Sequence, residues 1–240
     1  MSKKYWINYW NNQTHGQHRS QNEEFLKSES DEKLFHLKKG GKLLDFGCGS
    51  ADLLSYYSRY YEFCVGADSS KMMLEKACER LKSFNNQDNV ELINCDNLQI
   101  WNEIKNKFGE NFKFNCITTG QVVQYLDKKQ VEDFILNAAL YLTKNGKICM
   151  FDIVDARKYK LWEAGLFERN SFDFYVVIKL VYCKLRSIVN KLKGKPLHPL
   201  GFGYPPSFFM NLAEKYKLKV SYVNSMFYEY RYHIIFCKNL

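Results

Sequence analysis

Four acidic residues in the first hundred positions stand where they could hold a ligand. Asp45 and Asp52 bracket a pair of glycines, Gly47 and Gly49, in KLLDFGCGSADLL. Asp68 closes the apolar run FCVGAD, 21 residues after Gly47, and Asp96 closes ELINCD. A glycine pair at the end of an apolar run lets backbone approach a bound molecule closely, because no Cβ intervenes. In a dinucleotide-binding turn of the form G-x-G-x-x-G/A the third small residue packs helix on strand, and a pyrophosphate sits at the helix N-terminus. Here the sixth position is Asp52. Two carboxylates beside a pyrophosphate would repel it by about 1 kcal/mol per close pair at a partly shielded site. The acids therefore favour a positively charged ligand. Asp68 falls where an acid grips ribose hydroxyls in such folds, and a carboxylate can accept from both at once. Asp96 could accept from an exocyclic amine, with Asn97 offering an amide to the same ring.

Those acids need a scaffold that brings them to one edge, and the surrounding pattern supplies it. The sequence predicts a helix over Glu23–His36, with Phe25, Leu26, Leu34 and Phe35 as a broken apolar stripe. Strands are expected at Lys42–Phe46, Phe63–Ala67, Val90–Cys95, Phe114–Thr119 and Lys147–Val154, the last entered through a turn at Asn145-Gly146. Helices are expected between them at Ala51–Tyr60, from Ser69 or Ser70 to Phe84, at Leu98–Lys107, and from an Asp127 cap to Leu142. Strands alternating with helices of this length read as βαβ units around a parallel sheet. Asp45, Asp68 and Asp96 then lie at three successive strand ends, on the edge where open α/β sheets bind ligands.

After position 155 the alternation breaks. Residues 156–193 read as a basic helical insertion with apolar positions Phe174, Val177, Ile178, Val181, Leu185 and Ile188 near a 3.6-residue period. All four prolines fall in KPLHPLGFGYPP, a loop shaped by alternating stiff and permissive residues. A helix at Ser207–Tyr216 and strands at Lys219–Asn224 and Tyr230–Lys238 end the chain.

The 240 residues suffice for one core. Apolar residues at 46% and charged residues at 25% exclude a disordered chain. No apolar run approaches the roughly 20 residues of a membrane span, and MSKKYWINYW lacks the form of a signal peptide, so a cytoplasmic location is expected. The eight cysteines show no metal-ligand spacing and read as reduced, mostly buried thiols. No metal is expected. The net charge of +9 is concentrated: residues 156–240 carry 15 Lys and Arg against 5 Asp and Glu, and residues 1–155 carry 20 against 21. A basic field of that kind attracts anions; a solvated basic face with no ligand is the plainer alternative.

In their order and spacing, LLDFGCGSADLL, VGADSSKMM, NCDN and NCITTGQVVQYL resemble the successive motifs of class I S-adenosylmethionine-dependent methyltransferases, in their small-molecule branch. The resemblance covers about residues 40–155, and YRYHIIFCK is similar to that family's reversed edge strand. It implies a Rossmann-like α/β fold: a seven-stranded, mostly parallel sheet with an antiparallel last strand, helices on both faces and an insertion after the fifth strand. It implies a single domain, with an N-terminal lid at 1–22, a cofactor-binding core at 40–155, a substrate cap at 156–206 and a closing helix and two strands at 207–240. It implies S-adenosyl-L-methionine as cofactor, held by Asp45, Gly47, Gly49, Asp68, Ser69, Met73, Asp96, Asn97 and Thr119. Ala51 departs from the pattern, standing where the family often has a further glycine.

The acceptor is less legible. The basic 156–240 region favours a small anionic metabolite, such as a phosphorylated or nucleotide-linked sugar, methylated on a hydroxyl or, secondarily, an amine. The proline loop resembles segments of methyltransferases in polysaccharide biosynthesis. A hydroxyl acceptor needs a base, and His18 and His198 are the candidates; Tyr125 and Tyr204 could orient the acceptor. The alternatives are a lipid-linked acceptor met through the basic insertion at a membrane surface, or RNA, for which no separate binding module is visible. A monomer or homodimer is expected.

Overall fold

A computed structural model describes residues 22–86, 88–169, 174–192 and 200–238. Seven strands form one sheet in the order β3-β2-β1-β4-β5-β7-β6. They are β1 Lys42–Phe46, β2 Phe63–Asp68, β3 Val90–Asn94, β4 Phe114–Gly120, β5 Leu142–Val154, β6 Leu218–Asn224 and β7 Arg231–Lys238. β1 to β5 are parallel, and β7 runs antiparallel to both β5 and β6. The helices are α1 Glu23–His36, α2 Leu54–Tyr57, α3 Lys71–Ser83, α4 Ile100–Phe108, α5 Lys128–Tyr141, α6 Ala156–Glu163, α7 Leu166–Arg169, α8 Phe174–Leu192 and α9 Pro206–Lys215. The expected Rossmann-like architecture and its reversed last strand are present.

The period of two along each strand divides the core into two layers. Leu44, Val65, Ile117, Ile148, Ile234 and Phe236 face one side, with Trp101, Phe134 and Phe209. Leu43, Cys64, Cys116, Cys149, Phe151 and Ile235 face the other, with Leu54, Tyr57 and Leu81. The cysteines of this second layer act as small apolar residues. Ser70 caps α3 by accepting from Met73 N–H, and Asp127 opens α5 through a reciprocal capping box with Gln130.

Two local expectations need correction. The helix expected from Ala51 begins at Leu54 and continues as a 3₁₀ turn over Ser58–Tyr60. Ala51 has φ +61°, which a right-handed helix cannot include. The turn at Asn145-Gly146 is instead part of β5. Leu142 pairs with Phe114 and Lys147 with Cys116, so the intervening residues bulge out of the ladder without ending the strand.

Helix α1 is fastened to the sheet by charge as well as by Leu26 and Leu34, while Phe35 of its expected stripe is exposed. Lys33, fully buried, places Nζ 2.9 Å from Glu29 Oε1, 3.0 Å from Asp152 Oδ2 and 3.5 Å from Glu32 Oε2. His233 Nδ1 accepts from Asp152 N–H, and its Nε2 lies 3.1 Å from Glu32 Oε1. Glu32 also accepts from Met226 N–H at 2.6 Å. Burial works to raise the Glu32 carboxyl, but the hydrogen bonds from His233 and Met226 and the charge of Lys33 outweigh it and hold it below its ordinary value.

Removing one member of a buried ionic cluster strands the others, which costs about 3–5 kcal/mol. Lys33→Met is expected to lower unfolding free energy by that order in urea titrations, with activity-independent readout by circular dichroism. Because Glu32 is depressed in the folded state, its contribution is complete above pH 4.5 and is lost as pH falls below it. Glu32→Gln should flatten the acid limb of a stability–pH profile.

Candidate cofactor and acceptor site

The C-terminal ends of β1, β2, β4 and β5 share one edge, and the order β1-β4 at the centre of the sheet marks the topological switch where such sheets open a crevice. The glycine turn follows β1 there. Gly47 N–H and Cys48 N–H both donate to Ala67 O, at 2.7 and 3.1 Å. Gly47 has φ +77°, and a Cβ on it would meet Val122 Cγ2 at 2.1 Å. Gly49 has φ +55°, yet a Cβ there would meet nothing within 4 Å. The two glycines thus do different work. Gly47 admits the loop that follows β4, and Gly49 faces space that a ligand can fill.

Asp68, half-buried at the end of β2, joins this turn to α3. Its Oδ2 accepts from Gly49 N–H at 3.0 Å and its Oδ1 from Ser70 N–H at 2.8 Å. Burial raises the carboxyl, and the backbone donors of Ser70, Gly49 and Ser69 work against that rise. A carboxylate offers about four lone-pair sites, so acceptor capacity remains beyond these three backbone donors, and the geometry suits both the structural tie and hydroxyl binding. Burial, reinforced by the negative charge of Asp68 and Asp45, pushes the Cys48 thiol well up, so it is no nucleophile.

Asp45 lines a cleft at the switch point with Gly47, Thr118, Gly120 and Phe151. Thr118 and Gly120 line it where the sequence pointed to Thr119. The hydroxyl of Thr119 is buried and without a hydrogen-bond partner. Asp96 follows β3, and its Oδ1 accepts from Leu98 and Gln99 N–H, opening the turn into α4. Asn97 beside it and Ser69 beside Asp68 are half-buried, and Met73 is buried in the first turn of α3. Asp52, counted with Asp45 as an acid facing the ligand, is instead partnered within the protein. It accepts from Ser50 Oγ at 3.0 Å and lies 4.0 Å from Arg80 Nη1. The case for a cationic ligand therefore rests on Asp45, with Asp68 left to the ribose hydroxyls.

On the other side of the switch, beyond β4, stands a group that no sequence pattern marked. Arg231 is fully buried at the start of β7. Its Nη1 donates to Gln124 Oε1 at 2.8 Å and to Asp152 O at 2.6 Å. Gln124 in turn donates to Tyr125 Oη at 2.8 Å. Arg231 Nε and Nη2 have no hydrogen-bond partner, and the guanidinium lies 5.3 Å from the Tyr230 ring centre and 5.5 Å from that of Tyr228. The signal was the pairing of Arg231 with Val154 across β7 and β5, which is a property of the register and not of local sequence.

The segment expected to form a substrate cap begins where β5 ends. Tyr159 and Trp162 of α6 pack on Tyr230, at 5.3 and 4.6 Å between ring centres. The described end of the proline loop is sewn to the turn after β4 and to the end of β5: Phe202 N–H donates to Gln124 O at 2.7 Å, and Tyr204 N–H to Val154 O at 2.9 Å. Tyr204 is buried and its hydroxyl is bound to Leu126 O, so it holds the loop in place and is not available to orient an acceptor. His18 and His198 lie outside the described residues, as does the stretch expected to form an N-terminal lid apart from Asn22. Among the described residues no group of His, Cys, Asp and Glu could hold a metal ion.

Residues 44–148 match a family model described as a methyltransferase domain. No curated protein matches the sequence. Solved structures of similar shape include phosphoethanolamine N-methyltransferase 1 of Haemonchus contortus in complex with phosphoethanolamine and S-adenosylhomocysteine, at 12% identity and TM-score 0.65, covering 98% of this chain and 47% of that one. The chain spans about half the length of that enzyme. Magnesium protoporphyrin IX methyltransferase of Synechocystis PCC 6803 is similar at 11% identity and TM-score 0.62, over 98% and 99% of the two chains. The N-methyltransferase NodS of Bradyrhizobium japonicum is similar at 14% identity and TM-score 0.60, over 98% of both. This chain shares with these structures the Rossmann-like methyltransferase fold.

The two glycines predict unequal costs. A left-handed residue with a Cβ costs about 1–2 kcal/mol, and overpacking adds about 1–3 kcal/mol. Gly47→Ala should lower the melting temperature markedly more than Gly49→Ala, which should keep most of its stability. Differential scanning fluorimetry on both variants checks the ranking.

Proposed function

We propose that the protein transfers a methyl group from S-adenosyl-L-methionine to a hydroxyl, or secondarily an amine, of a small anionic metabolite such as a phosphorylated or nucleotide-linked sugar. The Asp68 tie supports the cofactor assignment. It holds the glycine turn open at Gly49 and keeps acceptor capacity for ribose hydroxyls. Asp45 would face the cationic amino-acid end, Gly47 and Gly49 would line the approach, and Ser69 and Met73 would flank the ribose. Asp96 and Asn97 would meet the adenine, and Thr118 and Gly120, on either side of the expected Thr119, would complete the wall. The bound sulfonium supplies an already activated methyl group, so the protein's contribution is in-line positioning and removal of the acceptor proton. His18 and His198 are the proposed bases.

The observation that carries an anionic acceptor is Arg231. The Nε–Nη2 edge of a guanidinium is the fork that meets a carboxylate or phosphate bidentately, and here that edge is buried and unmatched where β7 begins beside the end of β5. Leaving donors in that state costs about 1–3 kcal/mol, and an anion would recover it. The net excess of basic residues from 156 to 240 gives the same sign of field.

A labelled-methyl transfer screen over nucleotide sugars and phosphate esters is expected to find turnover that Arg231→Met reduces at least tenfold while leaving S-adenosylhomocysteine affinity unchanged in calorimetry. Asp68→Ala should weaken that affinity by about tenfold or more, the scale of one lost charge-assisted pair. Tight NAD or ATP uptake with none of S-adenosylhomocysteine would overturn the cofactor reading. Turnover confined to uncharged acceptors would overturn the acceptor reading alone.

A further inference from the structure

Helix α8 turns its apolar stripe outward. The sequence fits equally a lid packed on the sheet and a surface helix, because both need the same period. The structure separates the two. Phe174, Ile178, Val181, Tyr182, Leu185 and Leu192 are all exposed, Phe174 by 78% and Leu192 by 82%. At about 100° per residue these positions and their exposed apolar neighbours fill an arc of roughly 160°. The rotation of the helix about its axis is set from behind. Val176, opposite the stripe, is fully buried, and Arg186 is paired with Glu163 of α6. The stripe therefore cannot be turned inward without breaking that pair and exposing Val176.

Charge says what covers the stripe. Between Phe174 and Leu192 there is no acid, and Lys179 and Lys184 stand on either border of the apolar arc, with Lys193 and Lys195 following in sequence. An apolar face bordered by lysines, with Tyr175 and Tyr182 near its rim, is the form of a helix that lies in the plane of an anionic lipid surface. It does not span: no helix among the described residues is long and apolar enough to cross a membrane. A second copy of the chain fits poorly. In an isologous contact each α8 would meet its own likeness, bringing Lys179 and Lys184 against themselves with no carboxylate in the helix to answer them.

We propose that α8 docks the protein on anionic membrane surfaces, its apolar arc entering the headgroup boundary and its lysines meeting lipid phosphates. The docking helix rests on α6, which leaves the sheet directly after β5, so the edge that bears Arg231 is held beside the bilayer. This stands apart from the identity of the acceptor.

The test is co-sedimentation of the full chain with vesicles of phosphatidylcholine alone and of phosphatidylcholine mixed with phosphatidylglycerol. Binding is expected to the mixed vesicles, to weaken with added salt, and to be much lower on the neutral ones. Val181→Asp combined with Leu185→Asp should cut the bound fraction by about tenfold or more, since charge on the inserted face opposes burial, and Lys184→Glu should reduce it on mixed vesicles only. Both sites are exposed, so melting temperature and S-adenosylhomocysteine affinity should stay unchanged, which separates this outcome from misfolding and from failure of the cofactor reading. Absence of the wild-type protein from the pelleted mixed vesicles would overturn the proposal. So would pelleting indifferent to the double substitution, or a wild-type dimer that the double variant dissolves without any vesicle binding.

Discussion

One carboxyl group organises the ligand edge of this molecule. Asp68 accepts from the backbone of the turn after β1 through one oxygen and from the backbone opening α3 through the other. It thereby fixes two neighbouring strand ends relative to each other with a side chain that still has lone pairs to offer. Gly47 and Gly49 take up left-handed conformations around that tie, and the loop after β4 closes down on Gly47 through Val122. A catalytic or binding residue placed on any of these segments inherits its position from this joint. Removing it would loosen the turn even before any ligand arrived.

A second joint, made of charge, fixes the far side. Lys33, Glu29, Glu32, Asp152 and His233 lock α1 against β5 and β7. Buried ion clusters rarely outdo apolar packing in stability, but they specify geometry because each partner has a direction. Asp152 illustrates the point. It carries φ +55°, interrupts the β5–β7 pairing between Met150 and Ile153, and offers its carbonyl to Arg231 and its carboxyl to Lys33. The irregular residue of the longest strand is thus the one that connects the helix clamp to the buried guanidinium at the start of β7.

The sheet was legible because β1 to β5 are apolar runs between capped helices, and caps such as Ser70 and Asp127 are local features. The strand-end acids were legible for the same reason, since topology alone brings Asp45, Asp68 and Asp96 to one edge. What escaped was set by contacts distant in the chain. The pairing of Asp52 with Arg80 spans two helices' worth of sequence, and Arg231 acquires its place through register with Val154. The outward face of α8 could not be read either, because a period of 3.6 locates a stripe without saying which side is wet. Ala51 misled in a simpler way: a good helix former sits at a left-handed turn because the glycine turn demands that conformation.

The ends of the excursion that leaves the sheet after β5 come back together. Gly203 approaches Ala156 so closely that a Cβ on it would fall 2.7 Å from that residue's Cβ, and Tyr204 rejoins Val154 by a backbone hydrogen bond. The 46 residues between Ala156 and Gly203 therefore depart and return through a single doorway. Closing a longer or shorter excursion through the same doorway changes the entropy only logarithmically with length. The segment is in effect a replaceable cassette: its contents can be exchanged over evolutionary time, or by an engineer, while the strands on either side keep their alignment.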